Sequence, residues 1–223
     1  MTGGDRVLRP AQRAILVHGF NVRDHGVNTV GMLRQTLGLL GYASHVFRYG
    51  WLGVIGVYVW NDNASRLLAD IIADSGATLL VGHSNGCALI HRAMWLLSDE
   101  GYQPPQPLNA LYISPALDRD AVVSPVAHRV GVLYTPHDWA VRVSRYLPGV
   151  EWGDMGARGP LPGAAKYLPK RIRVPGHSAW FRERFFEDDT VPAIRELHHR
   201  MRTGQTGPAD GPVATPVATP REQ

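Results

Sequence analysis

The segment Gly82-His83-Ser84-Asn85-Gly86 sets a serine between two glycines, with the apolar run Thr78-Leu79-Leu80-Val81 before it and the helix-like run Cys87-Ala88-Leu89-Ile90 after it. A serine hydroxyl is a weak nucleophile unless it is held exposed beside a base, and a sharp turn from a buried strand into a buried helix holds it that way. Such a turn predicts a strained backbone at Ser84, with the flanking glycines letting strand and helix pass close together. With 24 glycines in 223 residues the five-residue pattern is weak alone. Its meaning rests on the strand and helix around it.

A serine nucleophile needs a base within hydrogen-bond reach, an acid to orient that base, and donors for the oxyanion. The acid candidate is Asp138, in Val132-Leu133-Tyr134-Thr135-Pro136-His137-Asp138, where a strand gives way to a loop. The base candidate is His177, in Val174-Pro175-Gly176-His177-Ser178-Ala179-Trp180, again between strand and helix. Asp118 and Asp120, after the preceding strand, are the alternative acids. His137 adjoins Asp138, and neighbouring residues in a turn rarely present both side chains to one point. His198 and His199 read as the surface of a polar helical end, and His83 as a packing group. Cys87 reads as a small residue in a packed first turn, and Ser114, before Pro115, as the end of a strand. No His-Glu-x-x-His or paired Cys–His spacing occurs, so no metal is expected.

These residues must be positioned by elements, and the chain alternates apolar runs of strand length with segments of helical period. That alternation predicts a mostly parallel sheet covered by helices on both faces. Strands are expected at Ala14 to Val17, Ser44 to Tyr49, Thr78 to Val81, Leu108 to Ile113, Val130 to Tyr134 and Arg171 to Val174. Helices are expected at Thr29 to Leu40, Asn63 to Ala73 and Gly86 to Leu97, and from Ala179 onward with a break at Pro192. Two segments are poor connectors: Gly50 to Trp60, apolar but interrupted by glycines, and Arg145 to Lys170, rich in Gly and Pro. Long loops at the carboxyl edge of a parallel sheet commonly shape a ligand site, which makes Trp51, Tyr58, Trp60 and Trp152 candidate substrate-lining residues.

Length and 44% apolar content suit one domain at residues 14–202, with an N-terminal extension at 1–13. Residues 203–223, with Val-Ala-Thr-Pro repeated, carry too little apolar content to pack and read as a disordered tail. The first residues lack the apolar stretch of a secretory signal, and no run approaches the ~18 apolar residues that cross a bilayer. A cytoplasmic protein without stable membrane insertion is therefore the expectation. One cysteine excludes an intramolecular disulfide. The net charge of +4 is spread along the chain without a nucleic-acid-binding pattern, so no polynucleotide partner is expected.

Leu16-Val17-His18-Gly19-Phe20-Asn21, the Gly82 to Gly86 turn, Asp138 and His177 together make the chain resemble the α/β-hydrolase superfamily over residues 14–202, in its small serine-hydrolase form without a large cap domain. The chain order Ser, Asp, His is the order of that superfamily. The resemblance implies an oxyanion hole from the backbone N–H groups of Phe20 and Asn85, with His18 holding the loop. It also implies cleavage of an ester or thioester by a triad of Ser84, His177 and Asp138, with no organic cofactor and with a small-molecule or lipid-like acyl ester as substrate. Acyl transfer or amide cleavage by the same groups, and a non-catalytic binding protein on the same fold, are the alternatives.

Overall fold

The computed structural model describes residues 12–20, 22–50, 54–144, 146 and 152–205, the side chains of 54–59 excepted. The expected extension at 1–13 and tail at 203–223 fall largely outside these residues, as do Trp51 and the side chain of Tyr58. Six strands form one sheet in the order β2-β1-β3-β4-β5-β6: β1 (Gln12–Val17), β2 (Tyr42–Phe47), β3 (Leu79–His83), β4 (Leu108–Ile113), β5 (Ala127–Tyr134) and β6 (Tyr167–Arg171). Every neighbouring pair is parallel. All six strands therefore end at one edge, where the residues that follow them converge.

Helices cover both faces, because the central strands are apolar on both sides. A 3₁₀ turn (Val30–Met32) leads into α1 (Leu33–Leu39), and α7 (Val191–Thr203) joins it on one face, where Leu33, Leu37, Ile194 and Leu197 pack on Leu16, Val81, Leu111 and Leu133. On the other face α2 (Val54–Ser75) and α3 (Asn85–Asp99) set Leu68, Ile72, Ile90 and Met94 against Ile15, Leu80, Ala110 and Val132. Short helices α4 (Trp139–Ser144) and α5 (Met155–Arg158) follow β5, and α6 (Glu183–Phe185) with a π-helical turn (Phe186–Thr190) leads into α7. No cap domain stands over the sheet edge among the described residues.

Two expectations need correction. The last strand is Tyr167–Arg171 rather than Arg171 to Val174. Pro169 argues against a strand there, yet β6 is an edge strand and needs no ladder N–H on its outer side. Ile172 and Val174 are apolar because they pack in the core beyond the strand's end. Helix α2 begins at Val54, so the second half of the Gly50 to Trp60 segment is helix and not loop.

Candidate active site

Ser84 stands between the last residue of β3 and the first of α3, at φ 55° and ψ −124°. This backbone conformation is costly for a residue with a Cβ, on the order of 1–3 kcal/mol. The surroundings enforce it. A Cβ on Gly86 would lie 2.3 Å from the Val17 carbonyl oxygen, and one on Gly82 would lie 2.8 Å from the Cys87 nitrogen. The loop after β1 presses on the same turn, since a Cβ on Gly19 would come within 3.0 Å of the Ser84 Cβ. Ser84 N–H donates to the Ile113 carbonyl at 3.0 Å, which fixes the turn to β4.

Asp138 and His177 meet beside this turn. The His177 Nδ1–H donates to Asp138 Oδ2 at 2.8 Å, and the Asp138 side chain is fully buried. Burial would raise the Asp138 carboxyl, but hydrogen bonds from His177, Ser114 and the Val141 N–H outweigh it and hold the group below its ordinary value. Ser114 is the residue whose role the sequence did not reveal. At φ 50° just past β4, its hydroxyl donates to Asp138 Oδ2 and accepts from the Trp180 Nε1–H at 3.1 Å. Thr135 Oγ1 donates to the Val174 carbonyl at 2.9 Å and so ties the acid loop to the histidine loop. Asp118 and Asp120 are exposed and make no bond to His177 among the described residues.

With its Nδ1 engaged by Asp138, His177 lines one cavity together with Ser84. That cavity has a volume of about 410 Å³ and an apolar wall that includes Phe20, Trp139, Val141, Val143, Trp152 and Phe181. No direct hydrogen bond joins Ser84 to His177 among the described residues; contacts of this kind commonly tighten only around substrate. A depression of about 500 Å³ opens at the opposite end of the sheet, beside Leu108 and Ala127, and its lining, which includes Ser98, His128 and Lys166, holds no acidic side chain to complete an acid–base pair. Size alone therefore does not locate the chemistry.

Two backbone N–H groups flank Ser84 without acceptors among the described residues, those of Phe20 and Asn85. Asn85 is the first residue of α3, so its N–H has no intrahelical partner and lies at the positive end of the helix. The Asn85 side chain is buried and spent elsewhere, its Oδ1 accepting from Asn61 Nδ2 at 3.1 Å and from Trp152 Nε1 at 3.0 Å.

Among solved structures the chain is similar to the esterase of Pyrobaculum calidifontis (12% identity, covering 88% of this chain and 78% of that one, TM-score 0.56). It is also similar to an esterase/lipase from an uncultured bacterium (17%, 87% and 77%, TM-score 0.53). A third is a protein classed as a hydrolase of the alpha/beta superfamily from Xanthomonas campestris pv. campestris (18%, 84% and 98%, TM-score 0.50). The chain has the α/β-hydrolase fold. No family model matches the sequence, and no curated protein does.

Within the α/β-hydrolase fold the remaining sequence candidates divide clearly. Trp152 lines the cavity and is bonded to Asn85. Trp60 does not; it is 56% exposed on α2, because that segment is helix and turns the indole to solvent. His18 is buried, stacked on Tyr49 at 4.2 Å, and donates Nδ1–H to the Gly19 carbonyl. Tyr49 donates to the carbonyls of His18 and Gly19, which pins the loop after β1. His83 is also buried, donating Nε2–H to the His177 carbonyl at 3.2 Å with the two rings 4.9 Å apart. Burial, together with the neighbouring His177, pushes the His83 imidazole down to about 3, so it is neutral near pH 7. Cys87 is buried and its thiol is pushed up by desolvation. His198, read from sequence as surface, is buried and bonded to the Tyr42 hydroxyl at 3.0 Å.

Proposed function

We propose that the protein is a serine hydrolase that cleaves carboxylic esters or thioesters through an acyl-enzyme on Ser84. The observation that carries this reading is the conjunction at one sheet edge of a strained Ser84, a His177–Asp138 hydrogen bond of 2.8 Å and a shared cavity. A merely structural site has no need of all three. The likeness to esterases and lipases adds support at the level of the fold.

Ser84 Oγ attacks the acyl carbonyl and its proton passes to His177 Nε2, while Asp138 holds the ring and stabilises its cationic form. The N–H groups of Phe20 and Asn85 receive the oxyanion; losing one such donor costs on the order of 3 kcal/mol of transition-state stabilisation. The leaving oxygen or sulfur departs with the proton from His177. Water, giving a proton to the same nitrogen, then attacks the acyl-enzyme, and the acid and free Ser84 are restored. Every group in this cycle is a side chain or backbone amide of the chain.

The cavity wall of Phe20, Val141, Trp152 and Phe181 suits an apolar acyl group. Hydrolysis of p-nitrophenyl esters of graded acyl length tests this. Rates that rise beyond acetate and collapse in His177→Ala fit the reading. A folded protein that turns over none of the series would remove the esterase assignment, and rates indifferent to acyl length would remove the apolar acyl preference.

A further inference from the structure

The imidazole of His177 borders a second cavity. It has a volume of about 300 Å³, is lined by Trp139, Pro175, Gly176, Ser178 and Arg182 among others, and shares Trp139, Ala140, His177 and Ser178 with the first. Ser84, Phe20 and Trp152 take no part in it. The space equals that of about 10 molecules of liquid water, far more than a methanol or ethanol leaving group would fill.

Its position follows the direction of the chemistry. The leaving atom takes its proton from His177 and must lie about 3 Å from that ring when it does so. The acyl carbon is then on Ser84, with its chain against Phe20, Trp152 and Phe181. The rest of the leaving group runs away from Ser84 and past His177, where the second cavity begins. Two ionisable side chains line that cavity, His177 and Arg182. The Arg182 guanidinium is exposed and has no hydrogen bond or ion pair among the described residues, and the nearby Asp138 carboxylate is buried and already holds three donors. An unpaired guanidinium is a ready partner for carboxylate or phosphate, to which it can offer two parallel N–H donors.

We propose that this cavity is the leaving-group subsite of the hydrolase described above, and that Arg182 selects esters or thioesters whose leaving alcohol or thiol carries an anionic group. The inference rests on the serine-hydrolase reading and deepens it. Gly176 supplies an independent probe, because a Cβ there would meet no atom within 4 Å and its φ is ordinary for any residue. Gly176 lines the cavity, and a larger side chain there enters open space without straining the loop.

The test uses thioesters of one acyl chain on 3-mercaptopropionamide, 3-mercaptopropionate and 3-mercaptopropyl phosphate, with thiol release followed for the wild type, Arg182→Gln and Gly176→Leu. The wild type is expected to favour the two anionic thiols over the neutral one by about 3- to 10-fold in kcat/KM. That preference disappears in Arg182→Gln and shrinks in about 0.5 M salt. The order of the two anions identifies whether carboxylate or phosphate is the better fit. Gly176→Leu should lower kcat/KM for all three relative to the S-methyl thioester. Equal turnover of the three thiols, or a preference that survives Arg182→Gln, would overturn the subsite while leaving the hydrolase standing. Absence of turnover on every ester and thioester, with Ser84 unreactive toward a fluorophosphonate, would instead remove the hydrolase reading and this inference with it.

Discussion

At the scale of single residues, the site carries strain and buried polar groups whose effects can be measured apart from activity. Ser84 is held at φ 55°, which a residue without a Cβ adopts at little cost. Ser84→Gly should therefore be more stable than Ser84→Ala by about 1 kcal/mol in denaturant unfolding, and equal stabilities would contradict the strained turn. Ser114 joins the buried Asp138 carboxylate to the Trp180 indole. Ser114→Ala leaves both short of a partner and should cost about 1–3 kcal/mol of stability and lower kcat; no loss in either quantity would dismiss Ser114 as a positioning residue. His83 makes the fold acid-sensitive. Its native value is about 3 against a free value of 6.5, so between these the unfolded chain binds a proton that the native chain does not. Stability then falls as pH falls, by up to about 1.4 kcal/mol per pH unit. Asp138 acts in the same direction lower on the scale, its contribution complete above its free value of 3.8 and lost as pH falls through the lower native value. His83→Gln should flatten the acid side of the stability curve between pH 6.5 and 4. Parallel curves for the two proteins would show that His83 is protonated without penalty.

At the scale of elements, the turn at Ser84 is legible in the sequence because its glycines answer to backbone contacts. A Cβ on Gly86 meets the carbonyls of Val17 and His18, atoms that cannot move aside. Gly86→Ala is expected to cost more than about 4 kcal/mol or to prevent folding, read from soluble yield and thermal unfolding. Gly38, exposed within α1 and with open space at its Cβ, gives the opposite sign: Gly38→Ala should stabilise by roughly 0.5–1 kcal/mol. Asp138 and His177 were legible for a related reason, since each follows a strand and parallel strands all end at one edge. Other features were obscured where a local signal competed with tertiary position. Pro169 hid β6, because its missing N–H matters in a central strand and not at an edge. The glycines between Gly50 and Trp60 concealed the start of α2, a 22-residue helix whose later turns carry the packing. His198 follows Ile194 and Leu197 on the buried face of α7, and the polar neighbours Arg195, Glu196 and His199 masked that spacing. The role of Ser114 depends on Asp138 arriving from a loop 24 residues later, and no local pattern records that contact.

At the scale of the whole molecule, one sheet is buried between two helical layers, and each layer has its own apolar core on the same strands. Loss of either layer exposes the face of all the central strands, so unfolding of the two should be coupled. A single calorimetric transition with matching calorimetric and van't Hoff enthalpies is expected, whereas two resolved transitions would separate the layers. The sheet also explains why the candidate groups meet: residues 20, 84, 114, 138 and 177 come from five separate connections, and the parallel order brings them to one edge. The most direct measurement of the central claim is labelling by a fluorophosphonate with the modified residue mapped by mass spectrometry. A reactive Ser84 in the wild type, with labelling lost in Ser84→Ala and slowed at least about 10³-fold in His177→Ala, is the predicted result. A folded wild type that stays unlabelled, or one labelled at another residue, would contradict the assignment of Ser84 as nucleophile.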